Sequence, residues 1–177
     1  MRNFYSEIFQ NAAAGEKMLA ILIDPEKFEA EKAADFLRKL PKETTHLFVG
    51  GSTVDGDQTQ VCVKSLKKES SLPVILFPGD HLQICEEADA LLFLSLLSGR
   101  NPEYLIGQQI KAVKKLKTSK LEIIPTGYLL IDGGRESAVE RVSKTPPIAQ
   151  AQVDLIVETA LAAQYLGKKL IYLEAGS

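Results

Sequence analysis

The stretch LAILIDPEK at residues 19–27 places a carboxylate and a proline directly behind a continuous apolar run. Such a run is typical of a parallel strand that is covered on both faces. Five more apolar runs follow, so that the predicted strands cover residues 18–24, 46–51, 73–78, 88–97, 121–125 or 121–131, and 169–174. Because amphipathic segments separate these runs, the pattern predicts six strand-helix units of an α/β fold.

The segments between the strands show the signals of helices. Apolar residues at helical spacing predict a helix over residues 28–40 that Pro41 ends, and another over 155–166 that Gly167 ends. A further helix over residues 2–14 precedes the first strand, with Phe4, Ile8, Phe9 and Ala12 on one side. Residues 127–152 fit either a long ligand-binding loop or a short helix over 136–142 between two turns.

Asn101 and Pro102 predict the start of a helix, because Asn is a favoured N-cap and proline is tolerated at the first helical position. The apolar stripe of this helix is expected to consist of Ile106, Ile110, Val113 and Leu116.

Polar and glycine residues stand behind nearly every predicted strand, at residues 24–27, 50–53, 78–80, 95–101, 125–128 and 174–177. Barrel enzymes build their active sites at these carboxyl ends of strands. No GxGxxG follows the first strand, which disfavours a doubly wound dinucleotide-binding sheet. We therefore predict one (β/α)₈ (TIM) barrel domain over residues 1–177 with about six of its eight strand-helix units. Since a closed barrel needs eight, we expect about 50 to 75 further residues in the natural protein, which would form two more strand-helix units.

Composition excludes several classes of protein. The chain has 177 residues, 45% of them hydrophobic, which excludes intrinsic disorder. The chain has 21 Lys and Arg against 23 Asp and Glu, which gives a net charge of −2. Because the sequence has no basic cluster, we expect no nucleic acid as a partner. There is no apolar run of about 20 residues and no signal peptide, so we expect a cytoplasmic protein. Cys62 and Cys85 are expected to be reduced, packed thiols.

Two strand ends suggest an ion site. Asp24 can supply a carboxylate oxygen to a hard cation such as Mg²⁺, or it can cap a helix that starts near Glu26, and the sequence leaves both readings open. Ser52 follows Gly50 and Gly51, so its hydroxyl can bind phosphate or metal, or can act as a plain N-cap. Neighbouring barrel strands would bring Asp24 and Ser52 within reach of one ion.

The last strand and one arginine suggest a polyol and phosphate site. Glu174 can accept hydrogen bonds from a polyol, and the backbone amides beyond it can hold phosphate. The alternative is that Tyr172 packs in the barrel interior and that the Glu174 carboxylate is merely solvated. Arg100 can pair with a diphosphate through two hydrogen bonds, or it can make an ordinary ion pair at the surface.

Five strings in order along the whole chain resemble the geranylgeranylglyceryl phosphate synthase family, also called phosphoglycerol prenyltransferases. They are LIDPEK at 22–27, VGGST at 49–53, LSLLSGRNPEYLIG at 94–107, PTGYLLIDGG at 125–134 and KLIYLEAGS at 169–177. Leu-Ile-Asp before the first acidic residue resembles the family's second group. The resemblance implies a barrel enzyme that uses Mg²⁺ to move a polyprenyl group, geranylgeranyl in the family's name, from its diphosphate to the 3-hydroxyl of sn-glycerol 1-phosphate, giving an ether lipid precursor.

The resemblance also implies roles for individual residues. Asp24 and Ser52 match the metal-binding positions. The glycerol phosphate loop is matched by Tyr172, Leu173, Glu174, Ala175, Gly176 and Ser177. In such a reaction Glu174 would orient the acceptor hydroxyl or take its proton, and Tyr128 would steady the electron-poor prenyl carbon with its ring. We expect a homo-oligomer, and the apolar substrate allows transient contact with a membrane surface.

Two other functions stay open at the level of sequence. A sugar-phosphate isomerase or aldolase on the same barrel would need a lysine or an acid and base pair at the strand ends, where Lys27 is the lysine that can be placed. A non-catalytic protein that binds lipid or phosphate is the third hypothesis.

Overall fold

The computed structural model describes residues 3–52 and 56–175, and all six predicted strands are present in them. Their bounds are β1 Leu19–Ile23, β2 Thr44–Val49, β3 Val74–Leu76, β4 Ala90–Leu96, β5 Glu122–Leu130 and β6 Leu170–Glu174. The order in the sheet follows the chain, β1-β2-β3-β4-β5-β6. The pairs β1–β2, β2–β3, β3–β4 and β5–β6 are parallel. The prediction of consecutive parallel strand-helix units is confirmed.

The helices lie between these strands. They are α1 Phe4–Ala13, α2 Ala33–Arg38, α3 Gly56–Glu69, α4 Gln108–Leu116, α5 Ala138–Ser143 and α6 Val153–Tyr165. A 3₁₀ turn over Ala30–Lys32 leads into α2, and a π-helical turn over Glu103–Gly107 leads into α4. Within the described part of the chain, no helix is both long and apolar enough to cross a membrane.

The chain divides into two compact units, Met1–Leu92 with Lys114–Ile123, and Phe93–Val113 with Ile124–Ser177. In the first, α3 buries Thr59, Cys62, Val63 and Leu66, whose spacing of three and four residues forms one helical face. In the second, Leu129, Ile131 and Ile148 form a buried cluster. Gly127 lets β5 approach α6, since a Cβ there would lie 3.0 Å from the Ala163 Cβ.

The helix α4 buries a different face from the one predicted. Ile106, Ile110 and Val113 are 54%, 65% and 51% exposed, and the buried positions are Gln109, Ala112 and Leu116. The buried face of α4 thus lies one residue away from the predicted stripe, and a π-helical turn precedes the helix. The Gln109 Nε2 donates to the carbonyls of Leu94 and Tyr104, whereas its buried Oε1 has no hydrogen-bond partner among the described residues. The predicted stripe is therefore wrong except at Leu116.

Other helix boundaries follow local rules. Asn101 caps its helix as predicted, since its Oδ1 accepts the N–H of Glu103 at 3.1 Å. The helix predicted over residues 28–40 covers residues 30–38 instead. Phe28 lies before the helix and packs edge-on against Phe36, with ring centroids 5.6 Å apart. The short-helix alternative for residues 127–152 is the one present, as α5, with Ser137 Oγ accepting the N–H of Glu140 at 3.0 Å.

The helix α1 is present where the sequence predicts it, and its first turn is anchored from β5. Both carboxylate oxygens of Glu122 accept backbone N–H groups of that turn, from Phe4 at 2.5 Å and Tyr5 at 3.0 Å. Phe4 is buried, but Phe9 is 62% exposed and Ala12 is exposed, so the predicted apolar side of α1 is only partly covered.

Candidate active site

Asp24 and the Gly50–Ser52 turn follow two hydrogen-bonded strands. Ile23 pairs with Val49 at the end of the β1–β2 register, and the Gly50 N–H donates to the Ile23 carbonyl at 3.2 Å. Asp24 therefore comes level with Gly50, and Ser52 lies two residues further along the chain. The register thus sets Gly50, two residues before Ser52, beside the end of β1 that carries Asp24.

The Asp24 carboxylate is held in a turn. Its Oδ1 accepts the N–H of Glu26 at 3.1 Å, and its Oδ2 lies 3.0 Å from the Nζ of Lys27. Residues 25–27 form this turn and no helix begins at Glu26, so the predicted helix cap is in fact a turn cap. The Asp24 side chain is 31% exposed, which leaves it accessible to a ligand.

The two glycines after β2 are needed for close packing of two turns. A Cβ on Gly50 would lie 1.8 Å from the carbonyl oxygen of Phe77, which no relaxation of side chains can accommodate. A Cβ on Gly79, in the turn after β3, would lie 2.3 Å from the Gly51 carbonyl oxygen and 3.0 Å from the Ser52 Cα. The glycine signal at residues 50–51 thus reflects contact between two backbones beside Ser52.

A second group of candidate residues lies at the end of the β5–β6 pair. Tyr128 is directly opposite Tyr172, and Leu130 is opposite Glu174. The rings of Tyr128 and Tyr172 meet edge to face, with centroids 5.4 Å apart. The Tyr172 hydroxyl is hydrogen-bonded to the Glu174 carboxylate. The structure therefore brings together three of the predicted residues in one connected group.

The environment of this group keeps both phenols protonated. Burial, reinforced by the charge of Glu174, raises the pKa of Tyr128 well above its usual value. Burial and then the Glu174 carboxylate also raise the pKa of Tyr172. The two hydroxyls are thus hydrogen-bond donors, and the carboxylate is the acceptor of the group.

The remaining predicted binding residues take other positions. Leu173 is 57% exposed and lies on the opposite face of β6 from Tyr172 and Glu174. Only its backbone can therefore contact a ligand bound beside those two residues. Ala175 follows the strand and is exposed. Gly176 and Ser177 lie outside the described residues. Arg100 is exposed and donates from its guanidinium to the carbonyls of Gly99 at 2.7 Å and Leu97 at 3.3 Å, in its own loop.

Sequence reasoning missed two polar contacts. Gln83 is fully buried and its side chain bonds to both Gly51 and Gly79. The available signal was a polar residue inside the apolar segment 82–85. Lys168 Nζ donates to the buried Ser95 Oγ at 2.7 Å, and burial lowers the pKa of Lys168. Lys168 is one of the two lysines that follow Gly167, and helix-end preferences alone do not indicate that it is partly buried.

A cavity of about 360 Å³ lies away from these residues, at the amino ends of β3, β4 and β5. Its wall includes Phe4, Pro73, Asp89 and Glu122. The acidic groups are already engaged, because Asp89 is paired with Lys67 at 2.6 Å and Glu122 accepts the N–H groups of α1. This cavity is therefore not part of the candidate site.

Known proteins share both the sequence and the fold. The chain is 59% identical over 177 residues to the geranylgeranylglyceryl phosphate synthase of Zunongwangia profunda, covering all of this chain and 76% of that protein. It is 49% identical to the enzyme of the same name from Flavobacterium johnsoniae, of which it covers 73%. These identities extend along the whole chain, as the five ordered strings do.

Two solved structures match the fold. One is the (S)-3-O-geranylgeranylglyceryl phosphate synthase of Thermoplasma acidophilum in complex with its substrate sn-glycerol-1-phosphate. It is 34% identical with a TM-score of 0.88, and the match covers 100% of this chain and 71% of that one. The other is the wild-type GGGPS of Thermoplasma volcanium, also 34% identical, with a TM-score of 0.87 over 99% of this chain and 70% of that one. They confirm the predicted fold class, a partial (β/α)₈ barrel.

The family model described as the PcrB family matches residues 12–177. Together with the identities above, this match confirms the resemblance read from the five strings. The chain belongs to the PcrB family, among whose members its named relatives are geranylgeranylglyceryl phosphate synthases.

Proposed function

We propose that this chain is a prenyltransferase that moves a polyprenyl group from its diphosphate to the 3-hydroxyl of sn-glycerol 1-phosphate. The observation that carries the proposal is the connected group of Tyr128, Tyr172 and Glu174 in a chain 59% identical to a named geranylgeranylglyceryl phosphate synthase. A carboxylate beside phenol donors can bind and activate a polyol hydroxyl. The solved relative from Thermoplasma acidophilum, which holds sn-glycerol-1-phosphate, supports this choice of acceptor.

The reaction exchanges one carbon–oxygen bond for another. The bond between the prenyl carbon and the diphosphate oxygen breaks, and the glycerol 3-oxygen forms the new ether bond. Glu174 takes the proton of the attacking hydroxyl, and the Tyr172 hydroxyl holds the carboxylate in place by its hydrogen bond. The prenyl carbon gains positive charge as the diphosphate departs, and the neutral ring of Tyr128 offers its electron-rich face to that charge.

The residues behind β1 and β2 fit Mg²⁺ bound together with the diphosphate. Among the described residues there is no group of three or more His, Cys, Asp or Glu arranged to hold a metal. Mg²⁺ does not need such a cage, since it usually binds through one or two carboxylates, several waters and the phosphates of the substrate. Asp24 and Ser52 would supply the protein oxygens, and the ion would neutralise charge on the leaving diphosphate.

The contacts of Lys27 disfavour an aldolase. Its side chain is 83% exposed and its Nζ is paired with Asp24. A lysine that forms a Schiff base is typically desolvated in an apolar pocket. Lys27 is exposed and ion-paired instead, so the prenyltransferase is the function that the site supports best.

We also propose a cytoplasmic homo-oligomer that contacts membrane surfaces transiently when it takes up the apolar substrate. Ile106, Ile110 and Val113 are exposed in α4 and the turn before it, and such an apolar surface supports contact with a second subunit or with a membrane. Light scattering coupled to gel filtration measures the oligomeric state, and a monomeric mass would contradict this part of the proposal.

A turnover assay tests the function directly. The purified protein is incubated with labelled geranylgeranyl diphosphate, Mg²⁺ and sn-glycerol 1-phosphate, and the ether product is separated from the diphosphate by extraction and chromatography. We expect product that depends on all three components, and little product with the enantiomer sn-glycerol 3-phosphate. Absence of an ether product with a correctly folded protein would overturn the proposal.

A further inference from the structure

The side chain of Gln83 links the turn after β2 to the turn after β3. Its Nε2 donates to the Gly51 carbonyl at 2.8 Å. Its Oε1 accepts the N–H of Gly79 at 3.0 Å and that of Gly51 at 3.4 Å. One carboxamide therefore satisfies backbone groups on two turns that are 28 residues apart in sequence, at positions 51 and 79.

This carboxamide is entirely shielded from water, since Gln83 is 0% exposed. A buried amide is unfavourable unless its donor and acceptor are both paired. When they are paired, the hydrogen bonds are strong and their directions select one backbone arrangement over its alternatives. An apolar residue of similar size would fill the same volume without selecting the conformation of either turn.

The turns that Gln83 joins contain the candidate ligand of the diphosphate and metal. Ser52 follows Gly51 directly, and its Cα would lie 3.0 Å from a Cβ on Gly79. The β1–β2 register brings the same turn level with Asp24. A small shift of Gly51 would therefore move the Ser52 hydroxyl relative to the Asp24 carboxylate.

We propose that Gln83 is a positioning residue for prenyl diphosphate and its Mg²⁺, which acts by fixing the Gly51–Ser52 turn. This inference rests on the proposed function. It assigns no contact between Gln83 and the substrate. It also concerns one substrate alone, because the group proposed to bind sn-glycerol 1-phosphate, Tyr172 and Glu174, belongs to the other compact unit.

Gln83→Met tests the proposal by keeping the volume while removing the hydrogen bonds. Without these bonds the Gly51–Ser52 turn is no longer held in one conformation, so the loss of affinity arises from the disturbed turn and not from a lost contact with substrate. We expect the KM for prenyl diphosphate and the Mg²⁺ concentration for half-maximal rate to rise about tenfold. The KM for sn-glycerol 1-phosphate should change less than about twofold, because the variant disturbs only the site of the other substrate.

Gln83→Glu adds a pH-dependent readout of the same hydrogen bonds, compared between prenyl diphosphate and sn-glycerol 1-phosphate. The protonated carboxyl group of this variant has one O–H donor for the Gly51 carbonyl and one carbonyl oxygen for the two N–H groups, as the amide has. In its ionised form the same group would place a carboxylate oxygen against the Gly51 carbonyl. We therefore expect this variant to bind prenyl diphosphate nearly as well as wild type at low pH, and progressively worse than wild type as pH rises.

Direct binding provides a measurement that does not depend on turnover. Calorimetric titration with Mg²⁺ and a thiolo analogue of geranylgeranyl diphosphate, whose carbon–sulfur bond resists transfer, should show the same loss in Gln83→Met. Titration with sn-glycerol 1-phosphate should be unchanged. Gln109→Met is the matched control, since Gln109 is 6% exposed and also donates to a backbone carbonyl, that of Leu94.

The outcomes separate the two proposals. An inactive wild-type protein would contradict the proposed function. If the wild type is active, three results would overturn the role of Gln83. The first is an equal loss for both substrates in Gln83→Met, and the second is a selective loss for prenyl diphosphate in Gln109→Met as well. The third is the absence of a pH-dependent defect in Gln83→Glu. If Gln83→Met does not fold, the pH profile of Gln83→Glu decides alone, and a profile parallel to wild type overturns the proposal.

Discussion

Tyr128 and Tyr172 lie directly opposite each other in the parallel pair β5–β6, with their ring planes at 73° and their centroids 5.4 Å apart. This edge-to-face contact is a favourable aromatic geometry. Because the Tyr172 hydroxyl also bonds to Glu174, the orientation of the carboxylate depends on both rings. The packing of β5 on β6 thus positions the group that we propose to accept the proton.

Glu174→Gln should reduce turnover strongly. The variant keeps the volume but removes the charge and the basicity, and a general base contributes about 10²- to 10⁴-fold to rate. Steady-state kinetics should show the loss in kcat or in the KM for sn-glycerol 1-phosphate, with the KM for prenyl diphosphate spared. Glu158→Gln, at an exposed position of α6, is the control. Equal weakening of both substrates would indicate that Glu174 is structural.

Asp24→Asn should weaken the response to Mg²⁺. Asn keeps the hydrogen bond from the Glu26 N–H but lacks the negative charge that a hard cation prefers. We expect most activity to be lost at limiting Mg²⁺ and part of it to return at high Mg²⁺, as measured by rate against metal concentration. Asp35→Asn, on the exposed face of α2, serves as the control. If Asp24→Asn turned over at the wild-type rate at limiting Mg²⁺, Asp24 would only cap the turn and would not bind metal.

Gly50→Ala should destabilise the fold. The added Cβ would overlap the Phe77 carbonyl oxygen, at 1.8 Å, so two backbones must separate. Overpacking of this kind costs about 1–3 kcal/mol or more. Gly134→Ala is a contrasting variant, because its φ of +79° is strained for alanine but no atom lies within 4 Å of the new Cβ. There we expect about 1–2 kcal/mol. Urea unfolding measures both, and a loss below about 1 kcal/mol at Gly50 would contradict the close approach.

Cys62 and Cys85 should be unreactive in the folded protein. Burial raises the pKa of Cys62 to about 12 and that of Cys85 to about 11, so almost no thiolate exists near pH 8. A thiol reagent should label both residues slowly until denaturant is added. Rapid labelling of the native protein would show that these side chains are not packed as described.

The same two thiols should make stability depend on alkaline pH. In the unfolded chain they ionise near the ordinary value of 9.0, whereas the folded protein retains both protons. The unfolded state therefore binds fewer protons, and the free energy of unfolding should fall as pH rises from about 9 toward 12. Urea unfolding across this range should show a shallower fall in Cys62→Ala than in wild type, and an identical slope would contradict the raised pKa.

The pattern of apolar runs predicts the six strands, because strands of a parallel sheet are apolar at nearly every position. Burial on both faces is not met in β1 and β6, where Leu22 and Leu173 are 51% and 57% exposed. Asp24 and Glu174 were predicted as site residues for a related reason. A carboxylate at the end of such a run is delivered to the end of a strand whatever the neighbouring strands do. Local rules also predicted the cap at Asn101. These features depend on residues close together in sequence.

Tertiary structure decided the features that depend on distant residues. The face that α4 buries depends on the segments packed against it, and the Nε2 of the buried Gln109 donates there to the carbonyls of Leu94 and Tyr104. The register of β5 on β6 sets Tyr128 against Tyr172 across 44 positions of the sequence, from 128 to 172. Gln83 is recognisable as a link between two turns only once Gly51 and Gly79 are beside it. Local periodicity contains no information on such partners, since hydrogen bonds and ring contacts between remote segments form only when the strands pack.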